Sequence, residues 1–429
     1  IMPNDRSEKH LDVYEDRYEL HQGEETTVFY QGFQNKETQR RYAHINHTLA
    51  SGYLDRKFAA VSDVDFSELS ETNQTLLRNM VNGITSEVGR ALVGLTFLQL
   101  TIKSIAPEQS IRLHKGTTRR GSFSWVEGIS MRTIDSTYNT PFLREHGLLN
   151  LNKFGLFMTR SLAENYPYSS LYKAEMRGPF DDWILIVDAI ENESMPAELG
   201  LSYMMALLQN RSDSFQKAAQ KACDLVSTQQ GKAFAEIKDL IANFVNTTDY
   251  SARAFEVAMH AFYQAMQELN YLGAARVVPM SQMRSANKKH GNIGDIELTE
   301  DGVIVEAWDA KYGKPYLRDE LEELRDKLLL HPEVNIAGFV VDSAVDMRRD
   351  IIDRKNELQS ETGTEILLLS FDEWVNYELD NLNQGQKDEI AYNWLVALVE
   401  SFAQRRLDLA PIDEPCDAWI NDLIEILSN

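Results

Sequence analysis

Two cysteines in 429 residues, Cys223 and Cys416, are too few for a disulfide framework, and they exclude a cysteine-based metal site. Far apart and in unlike contexts, they read as reduced buried thiols, the usage expected of a cytoplasmic protein. Triplets such as Asn46-His47-Thr48 then carry no glycan meaning. Long apolar runs are lacking as well. None approaches the ~18 residues needed to cross a bilayer, so no membrane partner is expected. The opening IMPNDRSEKH is polar and charged, unlike a secretory signal. The chain has no internal repeat, low-complexity tract, P-loop or Gly-rich dinucleotide fingerprint, so no nucleotide cofactor is expected.

Excess positive charge is missing too. The formal net charge is −23, which taken globally argues against a nucleic-acid partner. Its distribution alters that reading. Phe371 to Asn429 holds 13 acids against 3 bases. Leu100 to Ile134 holds 6 bases and 2 acids, and Ala274 to Gly294 holds 4 bases and no acid. The acid is therefore concentrated away from two basic stretches.

One of those stretches leads into the segment around which the chain is organised, GNIGDIELTEDGVIVEAWDAK at Gly291 to Lys311. Ile293 to Leu298 alternates apolar and polar residues as a half-buried strand does. Thr299-Glu300-Asp301-Gly302 is a turn, with Asp-Gly the strongest short-range hairpin signal. Val303 to Trp308 is β-branched and aromatic and ends in Asp309-Ala310-Lys311. Alternation puts Asp309 and Lys311 on one face, and the hairpin brings Asp295 alongside. Two converging carboxylates make a hard-oxygen site suited to Mg²⁺, and a neighbouring lysine is a point charge for a phosphate or an attacking water. The combination suits metal-assisted phosphodiester cleavage.

Asp295, thirteen residues, then Asp309-Ala310-Lys311 resembles the signature of the PD-(D/E)XK nuclease superfamily, which includes most type II restriction endonucleases. Gly294 stands where the name implies proline. Acid-x-Lys occurs four times, at Asp55-Arg56-Lys57, Glu236-Ile237-Lys238, Asp309-Ala310-Lys311 and Asp353-Arg354-Lys355. Only the third ends a strand that follows an acid-bearing partner. The flanks read as a helix over Ala254 to Leu269 and strands at Ala274 to Met280 and in the hairpin. A helix over Tyr316 to Leu330, a buried strand at Asn335 to Val341 and a helix over Val345 to Gln359 follow. Glu365 to Phe371 is a last strand and Asp372 to Leu379 a helix. The resemblance covers roughly Ser251 to Leu379. It implies an α/β restriction-endonuclease-like fold: a mixed sheet flanked by helices.

The resemblance further implies Asp295 and Asp309 as Mg²⁺ ligands, the Ala310 carbonyl as a third donor, and Lys311 as the group that orients the attacking water. Glu256, near the start of the first helix, matches the acidic helix position and would hold a metal-bound water, with Glu268 the weaker alternative. Glu256 also reads as an ordinary helix N-terminal acid favoured by the macrodipole. Glu297 and Glu306 read as structural.

Elsewhere the chain supplies scaffold and a candidate recognition surface. Residues 1 to 68 are polar and mixed, and no chemistry is assigned to them. His44 and His47 lack a third ligand and read as surface residues. Ser70 to Ile105 has helical periodicity from a Ser70 cap. Ile111 to Trp125 reads as a short strand entering a basic loop, with Arg112, Lys115, Arg119 and Arg120 as candidate DNA contacts. Lys288, Lys289 and His290 offer further phosphate contacts beside the hairpin. Pro196 to Val245 reads as three helices, with breaks at Asn210-Arg211-Ser212 and Thr228 to Gly231. Asn246 to Asp249 reads as a domain boundary. The expected organisation is a mainly helical N-terminal domain at 1–247, a catalytic domain at 248–380 and acidic C-terminal helices at 381–429. The expected function is Mg²⁺-dependent cleavage of double-stranded DNA at a specific short site by a homodimer. Two alternatives stand: a partner-activated or non-specific defence or repair nuclease, and a DNA-binding scaffold on an inactive nuclease fold.

Overall fold

The computed structural model describes residues 9–84, 89–280, 292–403 and 416–429. It divides into two compact units, Ile1–Ser214 and Phe215–Asn429.

The first unit opens on an antiparallel meander, β1 (His10–Val13), β2 (Arg17–Gln22) and β3 (Glu25–Tyr30). Leu11, Tyr18, Leu20 and Phe29 pack with Trp125, and the other face carries Val28 and Tyr30 among polar residues. Gly23 at φ 65° starts the tight β2–β3 turn, a conformation that glycine adopts without steric cost. Ser70 caps the helix Glu71–Asn82 by accepting from the Asn73 amide at 3.1 Å. The periodic run from Ser70 to Ile105 resolves into that helix and Arg90–Ile105. Trp183 to Val187 lies inside the helix Phe180–Glu191. The break read at Asn210 to Ser212 is absent, because one helix, Ala197–Ser227, runs through it. Arg211 is a good helix former, and Asn210 and Ser212 are middling ones that a long helix tolerates.

The second unit is built on a five-stranded mixed sheet in sequence order: β4 (Arg276–Val277), β5 (Ile296–Glu300), β6 (Val303–Lys311), β7 (Ile336–Val341) and β8 (Glu365–Ser370). β4–β5 and β5–β6 are antiparallel, whereas β6–β7 and β7–β8 are parallel. The mixed α/β class and the element order follow the sequence reading, with the first strand shortened to two residues. Asp301 and Gly302, at φ 49° and 80°, make the two-residue hairpin turn that Asp-Gly announced. The crossover helices Arg318–Leu329 and Arg349–Thr362 pack on Ala307, Ala337, Phe339, Val341, Ile366 and Leu368. The opposite face, with Ile296, Leu298, Trp308 and Val340, packs on the helix Ser251–Glu268.

The chain divides at Ser214/Phe215 and not at Asn246 to Asp249. The helix Phe234–Thr247 belongs to the second unit, where the Phe234 amide donates to Asp388 Oδ1 at 2.8 Å. Asn-Thr-Thr-Asp ends a helix, and a helix end and a domain linker share that composition. The C-terminal helices Gln384–Ala403 and Cys416–Ser428 are likewise no separate segment. Trp394 Nε1 donates to the Ala258 carbonyl at 2.8 Å, and its ring meets Phe262 edge-on at 5.1 Å. Trp394→Ala is therefore expected to cost about 3–5 kcal/mol in urea denaturation. A cost under about 1 kcal/mol would contradict a shared core.

Glu306 and Glu378 form a polar island on the Trp308 face of the sheet. Tyr263 Oη donates to Glu378 Oε1 at 2.6 Å, and Trp308 Nε1 donates to Glu306 Oε1 at 2.8 Å. Burial, then the charge of Glu306, pushes the half-buried Glu378 well above the ordinary carboxyl value. The raised value means that this stabilisation is complete below the unfolded glutamate pKa, about 4.3, and is lost as pH rises through the folded value. Glu378→Gln should accordingly gain stability on wild type between about pH 5 and about pH 9. A difference that is flat or moves the other way in denaturation at the two pH values would refute a protonated Glu378.

Candidate active site

The hairpin positions the acids through its own backbone. Asp295 immediately precedes β5, opposite the end of β6, where Ile296 pairs with Trp308. The Asp295 amide donates to Asp309 Oδ1 at 2.9 Å, and the Ala310 amide donates to Asp295 Oδ2 at 3.0 Å. One oxygen of each carboxylate is thereby pinned by a peptide N–H. Asp309 Oδ2 and Asp295 Oδ1 remain for a cation. Lys311, two residues on along β6, holds Nζ 3.8 Å from Asp309 Oδ2 and 5.9 Å from the centre of the Phe339 ring.

Gly294 is required by that approach. A Cβ there would stand 2.7 Å from the Trp308 carbonyl oxygen and 2.9 Å from its carbonyl carbon and amide nitrogen. Glycine at this position is thus a packing solution to a strand that passes against backbone. Glu297 is buried, and its Oε2 accepts from the Ile293 amide at 3.0 Å, which fixes the bend before β5. This is the structural role read for it, and the Glu306 bond to Trp308 is another.

Glu256 joins the acids from the helix Ser251–Glu268. Arg253 Nη1 donates to its Oε2 at 2.5 Å. Burial raises the Glu256 pKa, Arg253 opposes the rise, and the charge of Asp309 adds to it. The protein crowded around the Asp295 carboxyl, with Asp309 and Glu256, holds Asp295 well above the ordinary aspartate value. Asp295 keeps an open solvent-facing surface, so the like charges are the firmer cause. Three neighbouring carboxyls beside one lysine and one arginine form a hard-oxygen donor set in which acids outnumber cations, and this fits Mg²⁺. Asp295, Asp309 and the Ala310 carbonyl would hold the ion, with Glu256 holding a water bound to it.

The other three acid-x-Lys triplets lie within the helices Tyr53–Ala59, Phe234–Thr247 and Arg349–Thr362. Residues two apart on a helix do not share a face, so none of them makes this pair.

The basic-loop residues separate. Arg112 is buried, with Nη1 donating to the Tyr168 carbonyl at 2.8 Å and Nη2 to Asp188 Oδ1 at 2.5 Å. It is a core ion pair and not a DNA contact, and Ile111 to Leu113 form no strand. Burial of an arginine next to apolar neighbours is invisible until Asp188, 76 positions on, supplies the partner. Lys115 is half-buried and bonded to Asn165 Oδ1. Arg119 and Arg120 are exposed. Lys115 and Arg119 line an open cleft of about 820 Å³ with Gln34, Thr117, Arg132 and Asn165. No aspartate or glutamate is among its described lining residues. The sequence reading missed Arg132 and Gln34, which only the fold brings to the loop. Lys288, Lys289 and His290 lie outside the described residues. His44 and His47 are both exposed on the helix Lys36–Ala50.

Gly294→Ala is expected to cost about 1–3 kcal/mol and to part Asp295 from Asp309, weakening Mg²⁺ binding. Unchanged denaturation and unchanged Mg²⁺ titration would show that the close approach does not matter. The chain matches no protein-family model and no curated protein.

Proposed function

We propose that the second unit is a Mg²⁺-dependent endonuclease acting on double-stranded DNA, on a restriction-endonuclease-like core of the PD-(D/E)XK type. The observation that carries the reading is the paired Asp295–Asp309 clasp, with Lys311 Nζ 3.8 Å from Asp309 Oδ2 and the Glu256 carboxyl near enough to feel the charge of Asp309. A bound Mg²⁺ supplies positive charge against the scissile phosphate and lowers the pKa of a bound water.

The chain's own groups do the rest. Asp295 and Asp309 fix the position of the ion, since each is already anchored by a backbone amide and needs no reorganisation. Lys311 is close enough to Asp309 to share a water with it, and its ammonium orients that water for in-line attack and offsets charge growing on the phosphate. Arg253 is a positioning residue that holds the Glu256 carboxyl by donating to its Oε2. In the first unit, the cleft with Lys115, Arg119 and Arg132, which has no acid among its described lining residues, is the surface suited to phosphate contacts, within a chain of net charge −23. Specific cleavage of a short site by a homodimer is the finer form of the proposal.

The test is incubation of the full chain with phage DNA and Mg²⁺, beside Asp309→Ala and Lys311→Ala. Discrete fragments are expected from wild type, with each variant slower by about a hundredfold or more at unchanged melting temperature. A smear would retain the nuclease and remove sequence specificity. Variants that cut as fast as wild type would overturn the site.

A further inference from the structure

The solvent-facing side of the β1–β3 meander carries a second cluster of ligating groups, chemically unlike the acids of the hairpin. The register pairs His10 with His21 and Asp12 with Glu19. Both pairs lie opposite the Leu11–Leu20 packing face, so two imidazoles and two carboxylates share one patch on neighbouring strands. The two rings stack with centroids 4.2 Å apart. His21 Nε2 is 3.2 Å from Asp12 Oδ2 and 3.7 Å from Glu19 Oε2, and His10 Nε2 is 3.6 Å from Asp12 Oδ2. One ligand atom from each of His10, Asp12 and His21 falls within 4.8 Å of the others.

The third strand sets the orientation of His21. Thr26, its register partner on β3, places Oγ1 2.8 Å from Nδ1. With Nδ1 donating to that hydroxyl, Nε2 carries the lone pair. Nε2 is itself buried and has no hydrogen-bond partner, although two carboxylate oxygens stand near it. In that tautomer a lone pair faces anionic oxygens, an arrangement satisfied by a metal cation or by a proton on Nε2. Zn²⁺ bonded at about 2.0–2.1 Å in a tetrahedron separates its ligand atoms by about 3.3 Å, close to the imidazole–carboxylate spacings of 3.2, 3.6 and 3.7 Å. Glu19 has Oε2 available because its Oε1 accepts from Arg17 Nε at 2.8 Å.

We propose that His10, Asp12 and His21 bind a divalent transition ion, Zn²⁺ foremost, with Glu19 or water in the fourth position. Imidazole donors favour Zn²⁺ over Mg²⁺, so this site and the carboxylate site select different ions. The ion ties β1, which among the described residues pairs only with β2, to the rest of the meander. Thr26 acts from outside the ligand shell by fixing the His21 ring.

The experiment is titration of the metal-free full chain, carrying Asp295→Asn and Asp309→Asn to silence the hairpin, with Zn²⁺ by calorimetry and with Co²⁺ by visible absorption. One equivalent is expected, with the spectrum of a four-coordinate Co²⁺ and a raised melting temperature. His10→Ala or His21→Ala should each weaken binding at least about tenfold, and Thr26→Val by about tenfold, while His44→Ala/His47→Ala leaves it intact. Absence of binding, or binding insensitive to both His10→Ala and His21→Ala in chains that melt normally, would overturn the proposal.

Discussion

Two backbone amides of one hairpin hold the two acids of the candidate site, and much of the second unit is arranged so that they can. Asp295 N–H reaches Asp309, and Ala310 N–H reaches back to Asp295. The exchange needs the chain before β5 to lie directly against Trp308, which only a residue without a side chain permits at 294. Trp308 must in turn be fixed, and it is: fully buried, bonded to Glu306 and packed near Trp374. Parallel pairing of β6 with β7 sets Asp309 beside Phe339 and Lys311 beside Val341, so the lysine leaves an apolar floor toward the acids. Burial raises Asp295 and Glu256 above the ordinary carboxyl value, and repulsion among the neighbouring acids adds to the rise. A cation relieves that repulsion.

Local features were legible in the sequence because their causes are local. Asp-Gly fixed the hairpin turn, alternation placed Asp309 and Lys311 on one face, and strand context separated this triplet from three helical ones. The apolar runs at β7 and at Ile366 to Leu369 of β8 read correctly because alternate residues pack on the two faces of the sheet. Features that depend on distant partners were hidden. Arg112 looks like a phosphate contact until Asp188 and the Tyr168 carbonyl enclose it. Arg132 joins Lys115 and Arg119 only through the fold of the cleft.

The organisation of the chain was misread for a related reason. Helix-ending composition at Asn246 to Asp249 resembles a linker, yet Thr248 Oγ1 donates to Asp422 Oδ2 at 2.6 Å and so ties that turn to the last helix. The acidic helices at 381–429 advertise their outer faces in the sequence. Their inner faces, with Trp394, Phe402 and Trp419, complete the core beneath the Ser251–Glu268 helix. The meander at His10–Tyr30 went unassigned because its alternation is carried by single leucines and tyrosines among charged neighbours.

The most direct measurement of the central claim is a Mg²⁺ titration of the full chain beside Asp295→Asn, followed by calorimetry with proton release monitored. Wild type is expected to bind Mg²⁺ and release protons as the raised carboxyls ionise, and Asp295→Asn, which keeps the bond from Ala310 but loses the charge, to bind at least about tenfold more weakly. Equal binding by the two proteins would contradict the assignment of Asp295 and Asp309 as the metal site.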